Sequence, residues 1–335
     1  MLLNIKTYLG CLFFIGLSGI SLTYAQSNIR EIPVDTSYTV WSTYKKLIKT
    51  YPDILPVTPK SSGLVLEKDN VVYLTLRDTP FGDRNLKVDI FIPSAQNKVY
   101  PALLLVHGGG WRAGNKTLNT PIAQALAAKG LVVISVEYRL SLEAKYPAAI
   151  YDLKAAIRWM RAHANEYHID EKHIAIGGSS AGGQLASLIG TTNENQKFEG
   201  TQGNLDFSSS VQAVVDIDGL LDFTDPENLA VKRNENSADV FWLEGFYENN
   251  VEKWKEASAL HWVNKQSPPF LFINSSQTRF HAGCKQMVDQ LSNFGIYNEV
   301  QNLKGSPHSF WLFHPWFNPT TEYIINFLNK VFSEK

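Results

Sequence analysis

From Val71 onward the chain repeats one alternation, a short apolar run followed by an amphipathic helix, and few architectures accept it. VVYLTL (71–76) and LKVDIFI (86–92) alternate apolar with polar residues, as half-exposed strands do, and the turn-rich DTPFGDRN joins them. ALLLVH (102–107) and LVVISVEY (131–138) are continuous apolar runs, the pattern of strands buried on both faces. HIAIGG (173–178), VQAVVDID (211–218), PFLFIN (269–274) and YNEVQNL (297–303) read as further strands. Helical segments separate them. TPIAQALAAKG closes on Gly130, and residues 148–167 place Ile150, Leu153, Ile157 and Met160 at helical spacing. CKQMVDQLSNFG and TEYIINFLNKVF are the last two helices. Two antiparallel strands followed by strand–helix alternation predict an α/β fold with one open, mostly parallel, doubly wound sheet over residues 70–335. Residues 222–266 carry poor strand signals and read as a helical cap inserted over one end of that sheet.

Composition supplies a core and removes one partner class. Hydrophobic residues are 44% and charged residues 19% of the 335, and the formal net charge is −1. No Lys/Arg run exceeds a pair, so nothing predicts nucleic-acid binding. Residues 1–25 have one Lys (Lys6), an apolar run, and Thr23-Tyr24-Ala25 before Gln26, which predicts a leader cleaved after Ala25. The run is shorter than the ~20 residues a spanning helix needs, so the expectation is a secreted or periplasmic protein with no membrane partner after cleavage. Cys284 would then be the only cysteine, without a disulfide or a Cys-based metal site. Residues 26–69 read as an N-terminal extension packed on the main body, with a short helix within 37–54.

Three motifs carry chemistry. GGSSAGG (177–183) follows a strand and opens a helix, and contains G-x-S-x-G as Gly178-Ser179-Ser180-Ala181-Gly182. A serine lifted off a sheet by a sharp strand-to-helix turn sits in strained backbone, and side chains two residues to either side would collide. Ser180 is therefore the candidate nucleophile. HGGGW (107–111) sits at the end of an earlier strand, where Gly109 and Gly110 can turn N–H groups into a cavity and, with the N–H of Ala181, hold an oxyanion. His107 reads as a residue pinning that loop. His308, in KGSPHSFW past the last strand, is the candidate general base, ahead of His281 and His314. No ligand cluster or nucleotide fingerprint implies a metal or organic cofactor.

On these motifs the chain resembles the α/β-hydrolase superfamily, in its esterase branch with HGGGW and G-x-S-x-G. VHGGGWRAGNK, VEYRLSLEAKYPAAIYDLKAAIRWMRAHANEYHID and IAIGGSSAGGQLAS look especially like secreted bacterial acetyl and feruloyl carbohydrate esterases. The resemblance covers roughly residues 70–333 and implies cleavage of acyl esters on plant polysaccharides such as xylan or pectin, so the expected partner is an acylated oligo- or polysaccharide. Other esterase activities stay open: pectin methylesterase, feruloyl esterase or general carboxylesterase. A catalytically weak carbohydrate-binding protein is the reading from a different class.

One piece of the resemblance is missing. The family usually carries its catalytic acid a few residues past the strand PFLFIN, where this chain reads SSQTRFHAG, and no acid lies between Asn264 and Asp289. The end of the preceding strand, VVDIDGLLDF, offers Asp216, Asp218 and Asp222 instead. Asp218, nearest the strand end, is favoured; Asp216 and Asp222 remain alternatives. The acid-free loop then reads as substrate-facing: Arg279 as a planar fork for a substrate carboxylate such as galacturonate, with His281 beside it. Trp111, closing HGGGW, is a further expected substrate contact, and Trp242 and Trp311 are candidates for a sugar-stacking rim.

Overall fold

The computed structural model describes residues 30–60, 62–95 and 98–333. The expected leader, residues 1–25 with Cys11, lies outside the described residues. In chain order the elements are α1 (Val40–Leu47), β1 (Leu55–Pro56), β2 (Val65–Thr79), β3 (Gly82–Pro93), β4 (Tyr100–Val106), α2 (Thr120–Ala127), β5 (Val132–Val136), α3 (Ala148–Ala162), β6 (Ile169–Ser179), α4 (Ala181–Thr191), β7 (Ala213–Ile217), α5 (Pro226–Leu229), α6 (Ala238–Leu243), α7 (Val251–Glu256), β8 (Phe270–Asn274), α8 (Cys284–Asn293), β9 (Asn298–Asn302), β10 (Phe313–His314) and α9 (Phe317–Ser333).

Eight strands form one sheet in the order β2-β3-β5-β4-β6-β7-β8-β9. β2 and β3 are antiparallel, β3 and β5 are antiparallel, and every later pairing is parallel. The continuous apolar runs are explained by burial on both faces. Leu104 and Val106 of β4 join one core with Ile150, Leu153, Ile157 and Met160 of α3 and Leu185 and Leu188 of α4. Leu103 and Leu105 face the other way, into a core with Ile122 and Leu126 of α2 and Phe327 and Leu328 of α9. Pleat alternation makes each successive residue serve the opposite layer, so both layers select apolar residues, and a polar one such as Ser135 of β5 is accommodated by a hydrogen bond, here to the Lys116 carbonyl at 2.7 Å.

Sheet order places the site. From β4 the chain moves to β5 on one side, then returns to place β6 on the other. In open α/β sheets ligands bind outside the strand C-termini at such a reversal. β4 ends at Val106, immediately before HGGGW, and β6 ends at Ser179, immediately before Ser180.

Residues 222–266 contain three short helices and no strand. They pack through Phe223, Trp242, Leu243 and Trp254, all fully buried. Trp242 is therefore not on an exposed rim. Its indole stacks on Trp111 with centroids 4.8 Å apart and planes within 5°. Trp311 is also buried, with its ring edge-on to His308. Upstream, α1 opens with a reciprocal cap between Thr39 and Ser42. β1 pairs with β10, and Asp35 bridges Ala113. These bonds fasten the N-terminal segment beside the C-terminal ends of the strands.

Candidate active site

Ser180 lies between β6 and α4 at φ 54 and ψ −120. This is left-handed backbone that a non-glycine residue occupies only under constraint. The constraint is close packing. A Cβ on Gly178 would stand 2.3 Å from the carbonyl oxygen of Gly182, and one on Gly182 would stand 2.2 Å from that of Val106. The glycines let the elbow sit directly on the end of β4. The Ser180 N–H donates to the Ile217 carbonyl at 2.9 Å, tying the elbow to β7.

His308 follows β9 and meets the serine, its Nε2 2.9 Å from Ser180 Oγ. Its Nδ1 is 2.6 Å from Oδ2 of Asp218. The imidazole is held flat against the Phe280 ring, with centroids 3.6 Å apart and planes within 6°. Ser180, His308 and Asp218 thus form one hydrogen-bonded chain drawn from three strand ends.

Of the three candidate acids, Asp218 is the one against His308. β7 ends at Ile217, and Asp218 has φ 55, so strand alternation no longer sets the direction of its side chain. Its other oxygen, Oδ1, accepts from the Ser275 N–H and from His281 Nδ1, each at 2.9 Å. Burial raises the Asp218 pKa, but the hydrogen bonds from His281 and His308 outweigh it and hold the carboxyl down at about 2. Asp216 accepts from the Gly219 N–H at 2.9 Å. Burial, with Asp218 nearby, pushes its carboxyl well above the ordinary range. Asp222 closes a turn by accepting from the N–H and hydroxyl of Thr224, and faces His261 at 3.4 Å.

A pH dependence follows from the depressed carboxyl of Asp218. A group with a lowered native pKa adds stability above its unfolded value of ~3.9 and loses it as pH falls through the native value. The Asp218 contribution, about 2 kcal/mol, should therefore fade between pH ~4 and ~2. Urea unfolding at several pH values checks this: the stability difference between the parent and Asp218→Asn is expected to shrink by that amount over the window.

His281 does not face substrate, which corrects the sequence expectation. It is largely buried, does not line the cavity, and spends Nδ1 on Asp218. The loop that lacks the acid supplies a second imidazole to the relocated acid. Its Phe280 supplies the wall behind His308, and only Arg279 of the three presents a charge to the open space. Trp111 lines the cavity but is mostly buried, and its indole N–H donates to Gln184 Oε1 at 2.8 Å. Its polar handle thus anchors the glycine turn to α4. His107 is buried against Tyr138, and burial pushes its ring down to about 4, so it stays neutral. His314 sits in β10, edge-on to Phe317.

The cavity over Ser180 has a volume of about 540 Å³. Gly109 (φ 126), Gly110 (φ 61) and Ala181 line it with Ser180 and His308. The N–H groups of Gly109 and Gly110 donate to nothing among the described residues, as an oxyanion site requires. Two further walls were not legible in the motifs. Tyr38, with Asp35 and Ser37, comes from the N-terminal segment, and Val231, Arg233 and Ala238 come from residues 222–266. Tyr38 lies close to Gly109 and beside Ser309 and Trp311, which follow His308 in sequence. No signal in residues 26–69 announces this, because its position depends on pairing with β10 and Ala113. Among the described residues no group of His, Cys, Asp and Glu could hold a metal ion.

Comparison with known proteins gives the family and the fold. The family model described as BD-FAE matches residues 88–281, more than half of the chain. Esterase LipC of Mycobacterium tuberculosis (strain ATCC 25618 / H37Rv) is 30% identical over 246 residues, covering 70% of this chain and 59% of its own. Carboxylesterase NlhH of the same organism is 36% identical over 143 residues, covering 42% and 41%. The chain therefore spans under two thirds of the length of these relatives. A solved structure titled as a truncated form of carbohydrate esterase from gut microbiota superposes with a TM-score of 0.71 at 27% identity, covering 82% of this chain and 99% of that one. A bifunctional GH43-CE protein of Bacteroides eggerthii gives 0.68 at 29%, covering 81% and 38%. With a mostly parallel sheet of this order and a strained serine elbow at its reversal point, the chain has the α/β-hydrolase fold and belongs to the BD-FAE family.

Proposed function

We propose that this protein is a serine carboxylic ester hydrolase that removes acyl groups, chiefly acetyl, from plant cell-wall polysaccharide such as pectin or xylan. One observation carries the reading: the continuous chain from Asp218 through His308 to Ser180 Oγ, with bonds of 2.6 and 2.9 Å, beneath unpaired glycine N–H groups. His308 takes the Ser180 proton as Oγ attacks the ester carbonyl, and Asp218 stabilises the imidazolium that forms. The N–H groups of Gly109, Gly110 and Ala181 hold the oxyanion. The imidazolium returns the proton to the departing sugar oxygen, and water, activated by the same imidazole, releases the carboxylic acid and regenerates Ser180. Similarity to proteins titled as carbohydrate esterases supports a glycan as the alcohol. The apolar leader ending in Thr23-Tyr24-Ala25 supports action outside the cytoplasm, on a mature chain beginning at Gln26.

The test is release of acetate, methanol or hydroxycinnamate from acetylated xylan, pectin and feruloylated arabinoxylan, by the parent protein and by Ser180→Ala. Acetate release that vanishes with Ser180 is the expected result. Methanol or hydroxycinnamate as the main product would keep the ester hydrolase and replace the acyl group. No Ser180-dependent release from any ester would overturn the reading.

A further inference from the structure

We propose that Arg279 forms a subsite for a carboxylate carried by the glycan, so that the protein selects acylated polysaccharides containing uronic acid. The proposal rests on the esterase reading above and deepens it.

The wall of the cavity carries charges of both signs; its carboxylates are all partnered, whereas only some of its cations are. Asp35 is paired with Arg112 at 3.2 Å and Asp239 with Arg233 at 2.6 Å. Asp218 is held by His308 and His281, and Glu227, near Arg279, accepts from the Thr278 hydroxyl. Arg233 is fully committed, also donating to the Asn228 and Val231 carbonyls. Arg279 faces the same cavity and, among the described residues, makes no hydrogen bond or ion pair. Lys46 and Lys232 line the cavity too, exposed and likewise unpaired among the described residues. The space in front of Ser180 is thus bordered by cations lacking counter-ions.

Arg279 is also held in place. Its guanidinium lies over the Phe280 ring at 4.4 Å, and that ring lies over the His308 imidazole. A stacked guanidinium keeps its N–H edge free while losing most of its rotational freedom. Arg279 is exposed at the cavity mouth; desolvation and the neighbouring Arg233 disfavour its charge more than Asp239 and Glu227 favour it, so a further anion is welcome there. A planar fork in that setting suits a carboxylate in two-point contact. One stacked ring separates it from the reacting imidazole, so the carboxylate lies on the sugar bearing the ester or on a neighbouring sugar. Galacturonate in pectin and glucuronate on xylan supply that group. A dicarboxylic acyl chain such as a hemisuccinate carries the same chemistry on the other side of the ester.

Binding and turnover separate the possibilities. Trigalacturonate, which has no ester, is titrated calorimetrically into Ser180→Ala and into Ser180→Ala carrying Arg279→Ala or Arg279→Lys. The expectation is a loss of about tenfold or more in affinity for Arg279→Ala, part of it restored by Arg279→Lys, and weakening with added salt. In the Ser180 parent, Arg279→Ala should lower kcat/KM on acetylated galacturonan or acetylated glucuronoxylan at least about tenfold more than on neutral acetylated xylo-oligosaccharide. Loss on both polymers by the same factor, trigalacturonate binding indifferent to Arg279, or discrimination confined to a hemisuccinate ester of a neutral alcohol would each overturn the uronate subsite. Because the titration uses protein without its nucleophile, a missing esterase activity and a missing carboxylate subsite give different results.

Discussion

Ser180→Ala is expected to lower kcat on any accepted ester by about 10⁶-fold, and Asp218→Asn by about 10⁴-fold, while Asp216→Asn stays within a few-fold of the parent. In the proposed mechanism Ser180 forms the covalent intermediate, and the alanine variant keeps only the cavity and its N–H donors. In Asp218→Asn the side-chain size is conserved, but the amide must present an N–H or a neutral oxygen to His308 Nδ1. It no longer fixes the tautomer with its lone pair toward Ser180, nor does it stabilise the imidazolium. Asp216 differs in kind. Its carboxyl is pushed toward the neutral form, and its one bond is accepted from the Gly219 N–H, which an amide oxygen accepts equally well. Measuring kcat for the three variants, with melting curves to show that each is folded, assigns the acid. A 10⁴-fold loss in Asp216→Asn with Asp218→Asn nearly unaffected would contradict the geometry.

Glu199→Ala is expected to cost about 3–5 kcal/mol of stability, a fall of about 10 °C in Tm, and to leave kcat at 25 °C near the parent value. Lys154 and Arg158 project from α3 and are almost completely buried. Burial disfavours the charge on both. Glu199 answers both, at 2.7 and 2.9 Å, and accepts from Ser209 as well. Lys154 also donates to the Thr192 carbonyl, and Arg158 to those of Gln202 and Gly203. This network fastens the polar loop after α4 against α3. Removing the carboxylate leaves two cations in low dielectric with carbonyl oxygens alone, a heavier penalty than loss of an exposed pair. Thr192 caps the far end of α4 from Ser180, so the catalytic geometry should survive in the folded protein. Thermal unfolding followed with kcat checks both halves; a Tm change below about 3 °C would contradict the burial argument.

Much of this was written in local sequence. The strands were legible because residues buried on two faces, such as Leu103 to Val106, have to be apolar without interruption. Ser180 and the glycines of HGGGW were legible because strained turns and close backbone approach admit few residue types, so chemistry and sequence constrain one another over five positions. His308 was legible from its place after the last strand of the sheet. The tryptophans misled: a large aromatic ring serves a sugar or a core equally well, and the burial of Trp242 depends on Trp111, far away in the chain. Residues 30–59 were opaque for the same reason, since Tyr38 reaches the cavity only through pairing with the C-terminal part of the chain.

The loop SSQTRFHAG shows where that boundary lies. Sequence alone determined that it has no carboxylate, and that the acid, if there is one, belongs elsewhere. Only tertiary structure decided which. The sheet sets β7 between β6 and β8, so the residue just past β7 stands between the serine elbow and the acid-free loop. From there Asp218 reaches His308 with one oxygen and His281 with the other, across 90 and 63 positions of chain. Contacts of that span are fixed by strand order and a single left-handed residue at the strand end. Neither leaves a local pattern, because the partners share a place in space without sharing a stretch of sequence.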